Sequence, residues 1–348
     1  MSKRLRVALF YPVNLGAGWY ACGGYRAALA RMGHDVIDCP LPGNQVRWVE
    51  QVRRALPTIE KLNSCDVVLS TYHEYVQPWL KEIYGWDAWA RLKTPVVARF
   101  DESMDRDDLG LSARMGELLQ WADQWSFPTC QDARRYQGEW IPYGADTGMF
   151  SPIPGGRTAS GADRIYDLAF IGTMYPSRVQ YLERLSQQIS DNVTFLCGPV
   201  VVQDLGGIDL IGSTGLLAKN YRRIKVFFCL PGIASMILAK VFDVLACGTF
   251  VMAPKLYGEA TENMTLFDDG VHVVYYDVGH MVENARQIKY WLEHDDERET
   301  IASAGRDRVF DQYTIKKMLN LMLAQAERGK RGAHEPSFTG RDERVVVI

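Results

Sequence analysis

Phe170 to Arg178 reads FIGTMYPSR: an apolar run, a glycine, then an arginine entering a stretch with helical spacing. A glycine at the end of a buried strand lets backbone N–H groups approach an anion, and the helix N-terminus that follows adds its positive end. Arg178 brings a planar fork of donors suited to phosphate. Gly172 and Arg178 together could therefore hold a diphosphate; the plainer alternative is a solvated first-turn arginine. A second cluster lies in Ala234 to Gly248, ASMILAKVFDVLACG. Lys240 and Asp243 are three apart and share a helix face, amid Ile237, Leu238, Val241, Val244 and Leu245. Such a pair is either an exposed ion pair of little worth or part of a ligand site. The preceding run KVFFCL and the turn Pro231-Gly232 put the start of this helix, with Ser235 near it, at the carboxyl edge of a parallel sheet, where open α/β folds bind ligands.

The first half carries weaker candidates. Gly16-Ala17-Gly18-Trp19-Tyr20-Ala21 fits G-x-G-x-x-A, with Asp38 about 20 residues further on, the outline of a dinucleotide fingerprint. The strand before it ends near Pro12, several residues ahead of the first glycine, whereas the fingerprint wants a glycine at the strand end. Gly16 and Gly18 thus read as an NAD loop, as a loop facing a cleft between domains, or as a structural turn. Ser70-Thr71-Tyr72-His73-Glu74 follows a buried strand. His73 could orient a hydroxyl and Glu74 could act as a base, or both could be structural. Asp101, with Glu102 beside it, follows PVVARF in the same way and could bind an acceptor hydroxyl or simply be solvated. Trp79, Trp86 and Trp89 could stack on a sugar or base, although a packed helix explains them more simply. There is no His/Cys/Glu cluster with zinc-like spacing, no D-x-D, no G-x-S-x-G and no Walker A loop. No metal site is therefore expected.

The elements that must position these residues alternate. Strands are predicted over Arg6–Tyr11, Asp35–Cys39, Asp66–Ser70, Pro95–Phe100 and Gln124–Pro128, with helices over Ala21–Met32, Val46–Leu62, Trp79–Trp89 and Leu111–Trp121 between them. After a Pro- and Gly-rich stretch from Ile141 to Gly161 the alternation resumes. Strands fall at Tyr166–Ile171, Val193–Cys197, Lys225–Leu230, Thr249–Ala253 and Val271–Tyr275. Helices fall at Arg178–Ile189, Ala234–Ala246, Met281–Glu293, Asp295–Tyr313 and Thr314–Arg328. The fold class is α/β, with two Rossmann-like domains. The expected division is 1–150, a linker 151–164, a second domain 165–315, a helix 316–328 and a polar tail 329–348.

A chain of 348 residues suits two such domains. Its net charge of −3, with 47% hydrophobic and 23% charged residues, argues against disorder and against a uniformly basic nucleic-acid coat. Seven cysteines, with no C-x-x-C, read as scattered thiols of a reducing compartment. With no signal-peptide pattern and no apolar run of membrane-spanning length, a cytoplasmic protein is expected.

Lys240 to Val251, then Leu266 to Tyr276 and the helices to Tyr313, resemble the carboxyl half of group 1 glycosyltransferases. The likeness is to the CgeB-like, spore-maturation branch in particular, where an R-x-F-E-x-x-A-C-G helix precedes F-x-x-G-x-x-x-x-x-Y. Ile141 to Asp146 with Phe150-Ser151-Pro152 resembles that family's interdomain segment, and Gly33-His34-Asp35-Val36 its entry to the second strand. The resemblance implies a GT-B fold with the two domains facing across a cleft. It implies a nucleotide-sugar donor, with UDP the expected nucleotide, held by the second domain, and an acceptor held mainly by the first. It also implies a retaining reaction without an essential metal or other cofactor. Asp243 would take the place of the family's ribose-binding glutamate, and Arg178 and Lys240 would offset diphosphate charge. Asp243 is one methylene shorter than that glutamate, and Ser235 stands where many group 1 enzymes carry a second one. The acceptor stays open among glycan, small molecule, protein and DNA base. An NAD-dependent oxidoreductase and a non-catalytic nucleotide-sugar-binding protein are the alternatives.

Overall fold

The computed structural model describes residues 3–13, 23–42, 49–106, 109–152, 164–189, 193–198, 210–232 and 235–328. The glycine loop with Gly16 and Gly18, most of the predicted linker and the polar tail lie outside the described residues.

The apolar runs of the first half form a parallel sheet. β1 (Arg6–Val13), β2 (Asp35–Pro42), β3 (Val67–Thr71), β4 (Val96–Arg99), β5 (Gln124–Phe127) and β6 (Glu139–Trp140) are ordered β2-β1-β3-β4-β5-β6. β1 is buried through its middle six residues and β3 throughout, as expected for central strands covered on both faces. The covering helices are α1 (Gly24–Arg31), α2 (Val49–Ala55), α3 (Ile59–Leu62), α4 (His73–Trp89), α5 (Leu111–Leu119) and α6 (Cys130–Arg135). The single helix expected over Val46–Leu62 is two, because Pro57 cannot continue a helix and Thr58 caps a new one. α4 starts six residues before the predicted tryptophan-rich helix and breaks at Gly85, whose φ is 66°. Trp79 and Trp89 are fully buried in it, which accounts for two of the three tryptophans as core.

The second sheet is β7 (Tyr166–Ile171), β8 (Phe195–Gly198), β9 (Ile224–Phe228), β10 (Phe250–Pro254) and β11 (Val274–Tyr276), ordered β11-β10-β9-β7-β8 and again parallel. Numbered within its own half, this is the order 2-1-3-4-5, which the first five strands also follow. The two sheets therefore have the same winding and equivalent switch points: between β1 and β3 in the first, between β7 and β9 in the second. In open α/β sheets ligands bind outside the strand carboxyl ends at that point. The helices of this half are α7 (Pro176–Ser186), α8 (Leu210–Arg222), α9 (Ala239–Ala246), α10 (Met281–Glu293) and α11 (Asp295–Gln312), with a 3-10 helix over Gly258–Leu266.

α9 begins at Ala239, five residues later than its helical spacing predicts. Met236 and Ile237 are buried ahead of the helix, and Leu238 just before it is extended. The last helix, α12 (Ile315–Arg328), returns to pack on α1, β3, β4 and β5 of the first half. It is led there by a bridge in which Ala145 N–H donates to Tyr313 O (2.8 Å) and Ile315 N–H to Ala145 O (2.8 Å). Gly144 is required at this crossing, because a Cβ there would lie 2.5 Å from the Thr314 carbonyl.

Candidate functional site

The β7 run ends at Ile171 and Gly172, and α7 begins at Pro176, a residue suited to the first helical position. Arg178 thus falls in the first turn, over the switch point. Its Nη1 donates to Thr173 O (2.8 Å), while Nε and Nη2 donate to Pro231 O (3.0 and 2.7 Å). The guanidinium thereby ties the loop after β7 to the loop after β9. Its carbon lies 5.3 Å from the Phe170 ring centre and 4.9 Å from that of Tyr175. Lys240, in the first turn of α9, donates Nζ–H to Ile171 O (2.9 Å) and lies 5.3 Å from the same Phe170 ring.

Neither cation pairs with a described carboxylate. Arg178 is buried, and burial pulls its pKa below the ordinary arginine value. Burial, reinforced by the positive charge of Arg178, lowers the Lys240 pKa to about 8, while Cys229 between them opposes the fall. Among the described residues the two cations are met by carbonyl oxygens and aromatic faces alone.

Asp243, one turn along α9, is buried but does not pair with Lys240. Its charge is felt toward α8: burial first, then Asp243, raises the pKa of Tyr221. Ser235 lies outside the helix and is exposed, and its carbonyl accepts a bond from Gln131 Nε2 across the cleft (3.0 Å). A narrow cavity of about 20 Å³, room for about one water, opens beside Cys229, Pro231, Ile237, Val241 and Pro254. Gly172, Arg178 and Lys240 are thus brought together, with Asp243 a turn away and Ser235 at the rim.

In the first domain Asp101 and Glu74 meet, and His73 turns away from them. Asp101 accepts from Arg99 Nε (3.0 Å), Tyr25 Oη (3.0 Å) and the Tyr72 N–H (3.1 Å), and Tyr143 Oη donates to its carbonyl. Burial opposes the Arg99 charge, yet the Asp101 carboxylate beside it holds the Arg99 pKa above its usual value. Tyr72 sits in the left-handed region at φ 50° to make its contact. Glu74 Oε1 accepts the N–H groups of Asp101 (3.3 Å) and Glu102 (3.0 Å). Burial, then the nearby Asp101 and Glu102 charges, pushes its pKa well above the carboxylate range. His73 is fully buried: Nδ1 meets Ser70 Oγ (2.8 Å) and Nε2 meets Leu118 O (3.0 Å). Burial lowers its pKa to about 4, so it is neutral, with Nε2 as the donor and Nδ1 the acceptor.

Two residues without a sequence signal link the domains. Asn263, on the 3-10 helix, accepts the Cys130 N–H (2.9 Å) and donates to Gln131 Oε1 (2.7 Å). The sequence does carry the capping pattern Thr129-x-x-Asp132 that starts α6; nothing marks Asn263. Among the described residues no group of three or more His, Cys, Asp and Glu is placed to hold a metal. None of the described helices is long and apolar enough to cross a membrane.

Compared with solved structures, the chain is similar to Anabaena HepE in complex with UDP-glucose, at 13% identity and a TM-score of 0.64, covering 93% of this chain and 100% of that one. The fold is GT-B. An α-glucosyltransferase bound to UDP and mismatched DNA shares this GT-B fold at 11% identity and a TM-score of 0.64, with coverage of 93% and 100%. So does sucrose-phosphate synthase from Thermosynechococcus elongatus, at 17% identity and a TM-score of 0.59, with coverage of 93% and 98%. Residues 213–324 match the family model described as glycosyl transferase-like. No curated protein sequence matches the chain.

Proposed function

We propose that the protein is a glycosyltransferase whose second domain binds a UDP-sugar through its diphosphate. The observation that carries this is the pair Arg178 and Lys240, two buried or half-buried cations with no carboxylate partner among the described residues, at the switch point of the second sheet. A diphosphate supplies the charge they lack. As the leaving group departs its negative charge grows, and fixed positive groups in a dry site stabilise that charge. Gly172 leaves the space that the Lys240 ammonium occupies, and Asp243 lies a turn further on for the ribose hydroxyls. Uridine as the base is supported by the UDP and UDP-glucose bound in structures that share the fold. A retaining course without a metal is supported by the resemblance of the Lys240–Val251 segment alone.

In this reading Asp101 and Glu74 shape the acceptor side. Arg99, Tyr25 and Tyr72 hold Asp101, and Glu74 holds the loop that begins at Asp101 and Glu102. His73 anchors the start of α4 to Ser70 and Leu118. The experiment is release of UDP from UDP-glucose by the purified full-length chain, with and without added divalent metal, followed by transfer to panels of glycans, small hydroxyl compounds and DNA. UDP release that disappears in Lys240→Met supports the proposal. No turnover of any common nucleotide sugar, together with no binding of any nucleoside diphosphate, overturns it.

A further inference from the structure

The two domains meet on the cleft side through side chains that are themselves buried. Gln131 is 4% exposed and Asn263 is 1% exposed. Asn263 serves both ends of its amide: Oδ1 accepts the Cys130 N–H at 2.9 Å, and Nδ2 donates to Gln131 Oε1 at 2.7 Å and to Ala260 O at 3.1 Å. Gln131 spends its other end on the second domain as well, donating from Nε2 to Ser235 O at 3.0 Å. Outside this amide pair the same two elements carry ion pairs, Arg134 with Glu262 and Arg135 with Glu259 (3.5 Å).

The place at which Gln131 grips is informative. Ser235 opens the described stretch 235–238, which runs into α9. Lys240 lies just past the end of that stretch, and Pro231, earlier in the chain, accepts from Arg178. An amide of the first domain therefore holds the backbone that leads into α9 and Lys240. Burying an amide without partners is costly. Separating the domains would force Gln131, Asn263 and the Cys130 N–H to find new partners together.

We infer that Gln131 and Asn263 form a closure latch, and that Gln131 is a positioning residue that couples domain closure to the geometry of the nucleotide site. The coupling rests on the donor-site reading above; the latch does not. With the latch shut the Ser235 carbonyl is fixed, and residues 235–238 hold the start of α9, and with it Lys240, in the arrangement described. With it open the segment is released and the site loosens.

The test uses the full chain with three variants, Gln131→Ala, Gln131→Glu and Asn263→Ala, and two readouts. Small-angle scattering without ligand reads closure. Calorimetry with UDP reads the nucleotide site. Gln131→Glu discriminates, because its carboxylate still accepts from Asn263 but cannot donate to Ser235 O. The expected result is a larger radius of gyration in Gln131→Ala and Asn263→Ala. The UDP dissociation constant should rise about tenfold in all three, as for loss of one buried hydrogen bond. Gln131→Glu should show the weaker binding with the smallest change in radius. An unchanged radius in both alanine variants overturns the latch. UDP constants within twofold of wild type in folded Gln131→Ala and Gln131→Glu overturn the coupling, since a merely structural role would lower the melting temperature and leave the constant of the folded protein alone. If UDP does not bind wild type at all, the donor reading and the coupling fall together, while scattering still decides the latch.

Discussion

The Lys240 ammonium lies 2.3 Å from the point that a Cβ on residue 172 would occupy, so Gly172 and Lys240 share one volume at the end of β7. The obstacle to a larger residue is the tip of a flexible side chain and not backbone, so Gly172→Ala should fold. Its expected effect is displacement of Lys240, with a melting temperature close to wild type and UDP binding weakened about tenfold, the worth of one charge-assisted hydrogen bond. Thermal melts with and without UDP check it. A variant that binds UDP as wild type does would mean that the ammonium is not where the phosphate needs it.

Cations held without a counter-charge burden the fold and serve the ligand. Lys240→Met and Arg178→Met should therefore lose UDP affinity by about 10- to 100-fold, as for loss of hydrogen bonds to a charged group. Lys240→Met should keep or raise the melting temperature of the ligand-free protein, because it removes an uncompensated, desolvated charge. A large drop in ligand-free stability would show that Lys240 is a structural strut.

The Lys240 pKa of about 8 sets a pH dependence. The unfolded chain holds this proton to about 10.4, so between the two values the unfolded state binds more protons and stability rises with pH. Below pH 8 the folded protein bears the full cost of the charge. UDP affinity should fall as pH climbs through and above 8, and the fall should be weaker in Lys240→Arg. Calorimetric titration of UDP at pH 7, 8 and 9 measures it; a flat profile in wild type would count against direct contact with Lys240.

His73 is held neutral in the folded state with a pKa of about 4, against about 6.5 unfolded. Its contribution is whole above pH 6.5 and is lost as pH falls toward 4, a span on the order of 3 kcal/mol. His73→Gln should therefore be less stable at neutral pH and flatten the acid limb of the melting curve. It should keep turnover within a few fold once folded. A folded His73→Gln protein without activity would return His73 to the chemistry.

Arg99 and Asp101 are a fully buried pair, and removing one partner leaves the other unpaired. Asp101→Ala should cost about 3–5 kcal/mol, read by urea unfolding. A loss below about 1 kcal/mol would mean that Tyr25, Tyr72 and Tyr143 carry the site without it.

Much of this molecule was legible in the sequence because parallel strands buried on both faces must be apolar runs. RVALFY, DVVLS, PVVARF and KVFFCL each mark a strand, and Met281–Glu293 is a helix with the expected ends. Where long-range contacts override local spacing, legibility fails. Residues 235–238 have helical spacing, yet they stand outside α9, with Met236 and Ile237 buried and Gln131 holding Ser235 O. Of the two readings open for Lys240 and Asp243, the exposed ion pair does not form: Asp243 is buried and Lys240 donates to Ile171 O. Periodicity could place Gly172, Arg178 and Lys240 at one sheet edge. It could not show that His73 is enclosed, since that depends on Leu118 and Phe100 from other elements. Asn263 acquires its meaning only when two domains meet.

Isothermal calorimetry of UDP with wild type, Lys240→Met and Arg178→Met is the most direct measurement. If the two cations hold the donor diphosphate, wild type binds UDP and each variant loses at least about tenfold. Absence of UDP binding in wild type, or binding that is unchanged when both cations are replaced, contradicts it.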